Sequence, residues 1–152
     1  MKILEVLDKE AIVVELKSDD KKGVLEELVR SAAGIAGVKH EEIMRVLLER
    51  ERLGSTGIGG GVGIPHGKLK GLKSLVLGFG LSRKGVDFES MDDKPTHIFF
   101  LLVTPESSTG LHLKMLARIS RILKNDFFKE KLMGAASSEE ILSIIKEEDD
   151  RF

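Results

Sequence analysis

The chain has 152 residues, and 24 Lys and Arg against 25 Asp and Glu give it a formal net charge of −1. It can bury about two-thirds of its unfolded surface, so it needs no staple to fold, and its even charge argues against general nucleic-acid binding, which favours a concentrated basic face. The absence of Cys excludes disulfides, thiolate metal sites and cysteine nucleophiles, and the aromatic residues are all Phe, which leaves little for base stacking or a sugar platform.

Residues 11–17 alternate, with Ile12, Val14 and Leu16 on one face, and predict a strand. Ser18, Asp19 and Asp20 supply capping oxygens for a helix carrying Leu25, Leu28, Val29 and Ala32, whose end Gly34 and Gly37 weaken. Residues 41–53 predict a stronger helix, with Ile43, Val46 and Leu47 on one face, Arg50 at its border and Gly54 as its stop. Residues 54–67 read as a loop. The apolar runs 75–81 and 97–103 predict buried strands, with turn signals at 83–87 and 91–95 between them. Leu113, Leu116, Ala117, Ser120 and Leu123 trace a helical stripe, and Ser137 to Glu140 has the Ser-x-x-Glu capping pattern before Ile141. There is no linker, low-complexity tail or internal repeat. No apolar run approaches the roughly 18–20 residues that span a bilayer, and the first eight residues lack the layout of a secretory signal. The expectation is one cytoplasmic α/β domain over residues 1–152, with helices packed over a sheet.

The segment most loaded with chemistry runs from Gly54 to Gly67, with six of the chain's 16 glycines between Gly54 and Gly63. Glycine loses more conformational freedom on folding than any other residue, so such a cluster implies positive φ angles or a close approach to the backbone; bare amides there can also form an anion-binding nest. A Walker A loop ending at Lys68 fails, because Val62 and Leu69 stand where Gly and Ser or Thr are needed. The dinucleotide pattern G-x-G-x-x-G fails from Gly57, Gly59 and Gly61 alike. His66 lies between Pro65, which fixes φ and lacks a donor, and Gly67, which has no side chain. An imidazole held this way is mostly neutral at pH 7 and offers a ring nitrogen as nucleophile; the alternative is a loop histidine that packs or caps. His97 reads as a strand histidine that packs or bonds, and His40 as a cap or surface residue. The dispersed histidines show no metal-ligand spacing, and no metal or cofactor is expected.

Arg50 followed by Gly54 to Gly67, with Ile64-Pro65-His66 at its end, resembles the active-site signature of enzyme IIA of the bacterial phosphoenolpyruvate-dependent sugar phosphotransferase system, mannitol/fructose type, which includes the nitrogen-regulatory IIA proteins. Asp87-Phe88, Pro95, the run from Ile98 to Pro105, Leu111-His112-Leu113 and the final Ser138 to Ile141 extend the resemblance over nearly the whole chain; Gly63 stands where many members carry Ala. The resemblance implies a mixed β-sheet flanked by helices on both faces. It implies that His66 is phosphorylated on Nε2 by the phosphocarrier protein HPr, with Arg50 and His112 as its active-site companions.

The chemistry is compatible with those roles. Arg50 offers a permanently charged fork for phosphoryl oxygens, and His112, near a helix start, can donate to an oxygen or orient His66. Ser55 and Thr56 are candidate phosphoryl contacts or turn caps. The group would pass to a IIB component for sugar uptake, so the membrane enters only through a permease. Ile58, Val62, Ile64 and Leu111 are the expected apolar rim for partners. Competing readings are a nitrogen-type regulator that binds proteins according to its phosphorylation, a non-catalytic anion-binding module, and a hydrolase pairing His66 with Asp92 or Asp93.

Overall fold

An uninterrupted apolar run must be covered on both faces, and residues 98–103 form one. The computed structural model describes residues 1–151. After a turn of 3-10 helix at Ile3–Glu5 come β1 (Leu7–Val13), α1 (Lys21–Ala36), α2 (His40–Arg52), β2 (Gly57–Gly59), β3 (Val62–Gly63), β4 (His66–Leu69), β5 (Val76–Val86), β6 (Thr96–Pro105), α3 (Thr109–Ile122), α4 (Asp126–Met133) and α5 (Ser138–Asp149). The sheet order is β1-β5-β6-β3-β2, and β4 pairs with β6 further along the edge that β3 uses. Pairing is parallel for β1/β5, β3/β6 and β4/β6, and antiparallel for β5/β6 and β2/β3.

Strand β6 divides the core. Ile98, Phe100 and Leu102 point to one face, where Met115, Ile119, Phe128, Ile141 and Ile145 of α3, α4 and α5 cover them. Phe99, Leu101 and Val103 point to the other, against Leu25 and Leu28 of α1 and Ile43 and Leu47 of α2. Phe79 meets Phe100 edge-on, and Phe88 does the same to Phe99. This is the mixed sheet with helices on both faces that the resemblance implies.

The differences from expectation are local. The first strand is Leu7–Val13 rather than 11–17. Its polar start, Asp8-Lys9-Glu10, hides the strand, and past Val13 the Glu27 carboxylate takes the Lys17 and Ser18 amides. Strand β5 runs through the expected turn at 83–87 to Val86, because a register shift between Leu81 and Val86 absorbs the extra residues. The expected loop at 54–67 contains β2, β3 and the start of β4, each too short to show alternation. Helix α3 begins at Thr109, four residues before the apolar stripe. Helix α4 was not expected; Asn125 caps it by accepting from the Phe127 and Phe128 amides. Ser137 caps α5 as expected, while the Glu140 carboxylate reaches the Ala136 amide rather than that of Ser137. His97 Nδ1–H donates to the Ser82 carbonyl (2.8 Å), and His40 opens α2.

Candidate functional site

Strands β3 and β4 are joined by Ile64 and Pro65 alone, so the chain stays beside β6. The Ile64 amide donates to the Thr56 carbonyl (3.0 Å), and the Pro65 carbonyl accepts from the Leu102 amide (3.0 Å). The Ile64 carbonyl instead takes the His66 ring, with Nδ1 at 2.8 Å. A carbonyl can only accept, so the ring proton lies on Nδ1 and the lone pair on Nε2. Pairing of His66 with Leu102 and of Lys68 with Thr104 turns both β4 side chains to the face that α3 covers. Gly67 points the opposite way, where α2 lies so close that a Cβ would come within 3.2 Å of Val46 Cγ2.

Helix α3 carries His112 to this place. The His66 and His112 ring centroids are 5.5 Å apart, tilted by 60°. His112 is buried, with Nδ1 at 2.7 Å from Thr104 Oγ1, and Lys68 Nζ donates to Thr109 Oγ1 (3.0 Å) in the first turn of the same helix. Arg50 sits in the last turn of α2, donating from Nη1 to the Gly54 carbonyl (2.9 Å). Burial lowers the His66 pKa below its ordinary value and the Arg50 charge adds to this, while the Ile64 carbonyl and the Glu51 carboxylate oppose it. Burial pushes His112 down to about 4, helped by His66 and Lys68. Both rings are therefore neutral at pH 7. The arrangement offers one nucleophilic nitrogen next to fixed cations and a second imidazole, as an incoming phosphoryl group requires.

Ser55 and Thr56 occupy the turn-capping alternative. Ser55 Oγ donates to the Phe88 carbonyl (2.7 Å) and accepts from the Gly57 amide (3.0 Å). Thr56 is buried and its hydroxyl donates to Glu51. Sequence reasoning missed Glu51, which sits in a mixed-charge helix end. Its side chain is only 5% exposed, pairs with Lys21 (2.8 Å) and accepts from the Thr56 amide (3.1 Å). It thereby ties α1, α2 and the loop together.

Gly59, Gly60 and Gly61 have φ of 94°, 65° and 79° and make the β2–β3 turn. Since Val62 pairs with Ile98 and His66 with Leu102, this turn lies about 13 Å along the sheet from the His66 backbone and does not cradle it. The amides of Thr56, Gly57 and Gly60 are already given to Glu51, Ser55 and Asp92, which removes those donors from the anion-nest reading. Asp92 also accepts from Ser90 Oγ and the Lys94 amide, and the His66 ring bonds a carbonyl rather than a carboxylate, against the hydrolase reading. Val62 and Ile64 are core residues, a correction to the expected rim, and Leu111 packs partly against the same core. Exposed apolar side chains of the loop and the elements flanking it include Ile58 (49% exposed), Leu53 before the loop, Met91, whose amide donates to the Gly57 carbonyl, and Leu113 next to His112. Among the described residues no three His, Cys, Asp or Glu side chains group as a metal site.

Residues 5–148 match the family model described as "Phosphoenolpyruvate-dependent sugar phosphotransferase system, EIIA 2". The chain belongs to that family. It is 41% identical over 145 residues to a nitrogen regulatory protein of Bradyrhizobium diazoefficiens, covering 95% of each chain. It is 34% identical over 139 residues to a PTS system fructose-specific EIIA component of Haloferax volcanii, covering 91% of this chain and 90% of that one. Among solved structures, nitrogen regulatory protein IIA-Ntr from Neisseria meningitidis superposes with a TM-score of 0.88 at 35% identity, covering 93% of this chain and 97% of that one. The mixed sheet and its helices are thus those of the EIIA 2 family.

Two outcomes follow for the EIIA site. Glu51→Ala leaves Lys21 with only the longer Glu89 contact (3.7 Å) and frees the loop; urea unfolding should show a loss of roughly 3 kcal/mol, in the range for breaking a buried pair. His112, with a folded pKa of about 4 against about 6.5 unfolded, binds its proton more readily in the unfolded chain, so its contribution to stability falls as pH drops from 6.5 towards 4. Between pH 7 and pH 5 the intact chain should lose about 2 kcal/mol more than His112→Gln does in the same urea titration.

Proposed function

We propose that the chain is a phosphoryl carrier, accepting the group from phospho-HPr on His66 and passing it to a IIB component of a sugar permease. The observation that carries this reading is the His66 Nδ1–H bond to Ile64, which leaves the Nε2 lone pair as the nucleophile. In the acceptance step Nε2 attacks phosphorus, the P–N bond of the donor breaks, and its electron pair returns to the donor ring. His66 keeps its Nδ1 proton throughout, and the same carbonyl supports the positive ring that results. Arg50 supplies the charge that meets the phosphoryl oxygens, and His112 is the second imidazole beside them. The activity is that of a phosphotransferase, needs no cofactor, and takes place in the cytoplasm where its donor acts. The P–N bond on His66 remains activated, so the group can move on to IIB.

A second reading is supported by the likeness to the Bradyrhizobium and Neisseria nitrogen regulatory proteins. In it the same phosphorylation changes which proteins the chain binds. Both readings use the exposed apolar side chains Leu53, Ile58, Met91 and Leu113 as the docking rim.

Incubation with phosphoenolpyruvate, enzyme I and HPr should add the mass of one phosphoryl group to the chain, on the peptide containing residue 66, and add nothing to His66→Ala. A wild-type mass that does not change refutes the carrier reading. Ile58→Asp, on the surface, should slow acceptance from phospho-HPr about tenfold without altering stability, the size expected for losing one interface anchor. Val62→Asp should instead unfold the chain, because Val62 is core. Capture of partner proteins by His66→Ala but not by the phosphorylated chain favours the regulatory reading; loss of the group on adding IIB and sugar favours transport.

A further inference from the structure

Thr104 lies in the apolar run of β6, where a hydroxyl has little reason to be. Its side chain is fully buried, and among the described residues the bond its Oγ1 makes is the one to His112 Nδ1, at 2.7 Å. Its position is fixed by register: Thr104 pairs with Lys68 one pleat beyond the His66–Leu102 pair, so it faces α3 on the side where His66 does. We infer that the Thr104 hydroxyl donates to His112 Nδ1 and so keeps the single proton of the neutral His112 ring on Nε2, as a positioning residue for phosphoryl transfer.

Hydrogen-bond accounting decides the direction. If Nδ1 carried the ring proton, it would donate to Thr104 Oγ1, and the threonine proton would be left in a buried place with no acceptor. An unmade bond at a buried donor costs more than a made one returns. With the threonine as donor, its proton and the Nδ1 lone pair are both satisfied. His112 then offers an N–H from its remaining nitrogen. The opposite tautomer would offer a lone pair, which repels anionic oxygens. Burial, together with His66 and the Lys68 ammonium nearby, disfavours a second proton on this ring, so choosing the tautomer is the way in which His112 can become a donor at neutral pH.

The effect on transfer rests on the reading that His66 carries the phosphoryl group, whereas the tautomer does not, and two measurements separate them. In the full chain labelled with 15N-histidine, long-range proton–nitrogen correlation spectra should show His112 protonated on Nε2. Thr104→Ser should keep that tautomer, and Thr104→Val, of nearly the same shape, should lose it. Acceptance from phospho-HPr should fall about tenfold in Thr104→Val, as for the loss of one buried neutral hydrogen bond, and be restored in Thr104→Ser. The inference is overturned by a wild-type His112 protonated on Nδ1, by a folded Val variant that keeps the wild-type tautomer, or by a Val variant that accepts at the wild-type rate. Should the Val variant not fold, the wild-type spectrum and the Ser variant decide. A wild-type chain that takes up no phosphoryl group from HPr removes the carrier reading and with it the transfer role of Thr104, while the tautomer spectrum still reports on the hydrogen bond alone.

Discussion

The site depends on the register of β4 against β6. With His66 opposite Leu102 and Lys68 opposite Thr104, every second side chain of the short β4 strand faces α3. A slip of one residue would turn His66 into the layer of α1 and α2 and bring Gly67 to the place of the imidazole. Two constraints hold the register. Leu69 is buried in the α1/α2 core, so it cannot change faces, and Gly67 lies where α2 leaves no room for a side chain. Pro65 contributes by bonding through its carbonyl alone, to Leu102. The pairing that builds the sheet edge is therefore also what places the His66 ring.

Burial then sets the charge state. A nucleophilic imidazole must keep a lone pair, and desolvation favours that by lowering the pKa of His66; Arg50 acts in the same direction. Glu51 opposes them, but its carboxylate is committed to Lys21 and Thr56. The charge near His66 would thus suit a phosphorylated ring, as proposed above, better than the resting one. Arg50 and Lys68 stand beside neutral rings in the resting chain, and an incoming dianion would meet cations that require no reorganisation.

Much of this was legible in the sequence. His66 stands out because Pro65 fixes the backbone before it and Gly67 leaves one side without a side chain, whereas Arg50, at the end of a mixed-charge helix, is singled out by the family resemblance rather than by pattern. Arg50 is half-buried while Arg52 is exposed. The long strands and helices showed because their apolar periodicity is sustained. What escaped has a physical reason in each case. Strands of two to four residues are made by tertiary pairing and carry no period, so β2, β3 and β4 read as loop. Val62 and Ile64 looked like a rim because a glycine-rich segment resembles surface, yet both are held under the sheet edge by β6. Glu51 was concealed among solvated charges, and Thr104 among apolar residues, because what matters in each is a partner distant in sequence. Pattern reading detects faces; it does not detect a single polar group whose partner is supplied by another element.

The same geometry bears on whether a relay and a signal can share one chain. On the carrier reading, a partner that reaches His66 meets a face with exposed apolar side chains on the flanking elements, Leu53 before the loop and Leu113 next to His112 among them. Phosphorylation of His66 would place about −1.5 to −2 charges on that face. A partner carrying a cation or hydrogen-bond donors at its centre gains from that charge, whereas a partner presenting only apolar surface must desolvate it and is repelled. A receiver of the phosphoryl group needs the first kind of centre, and a target bound only by the unmodified chain needs the second. On that reading transport and regulation require no difference at His66, Arg50 or His112, and the distinction is written on the partner's surface.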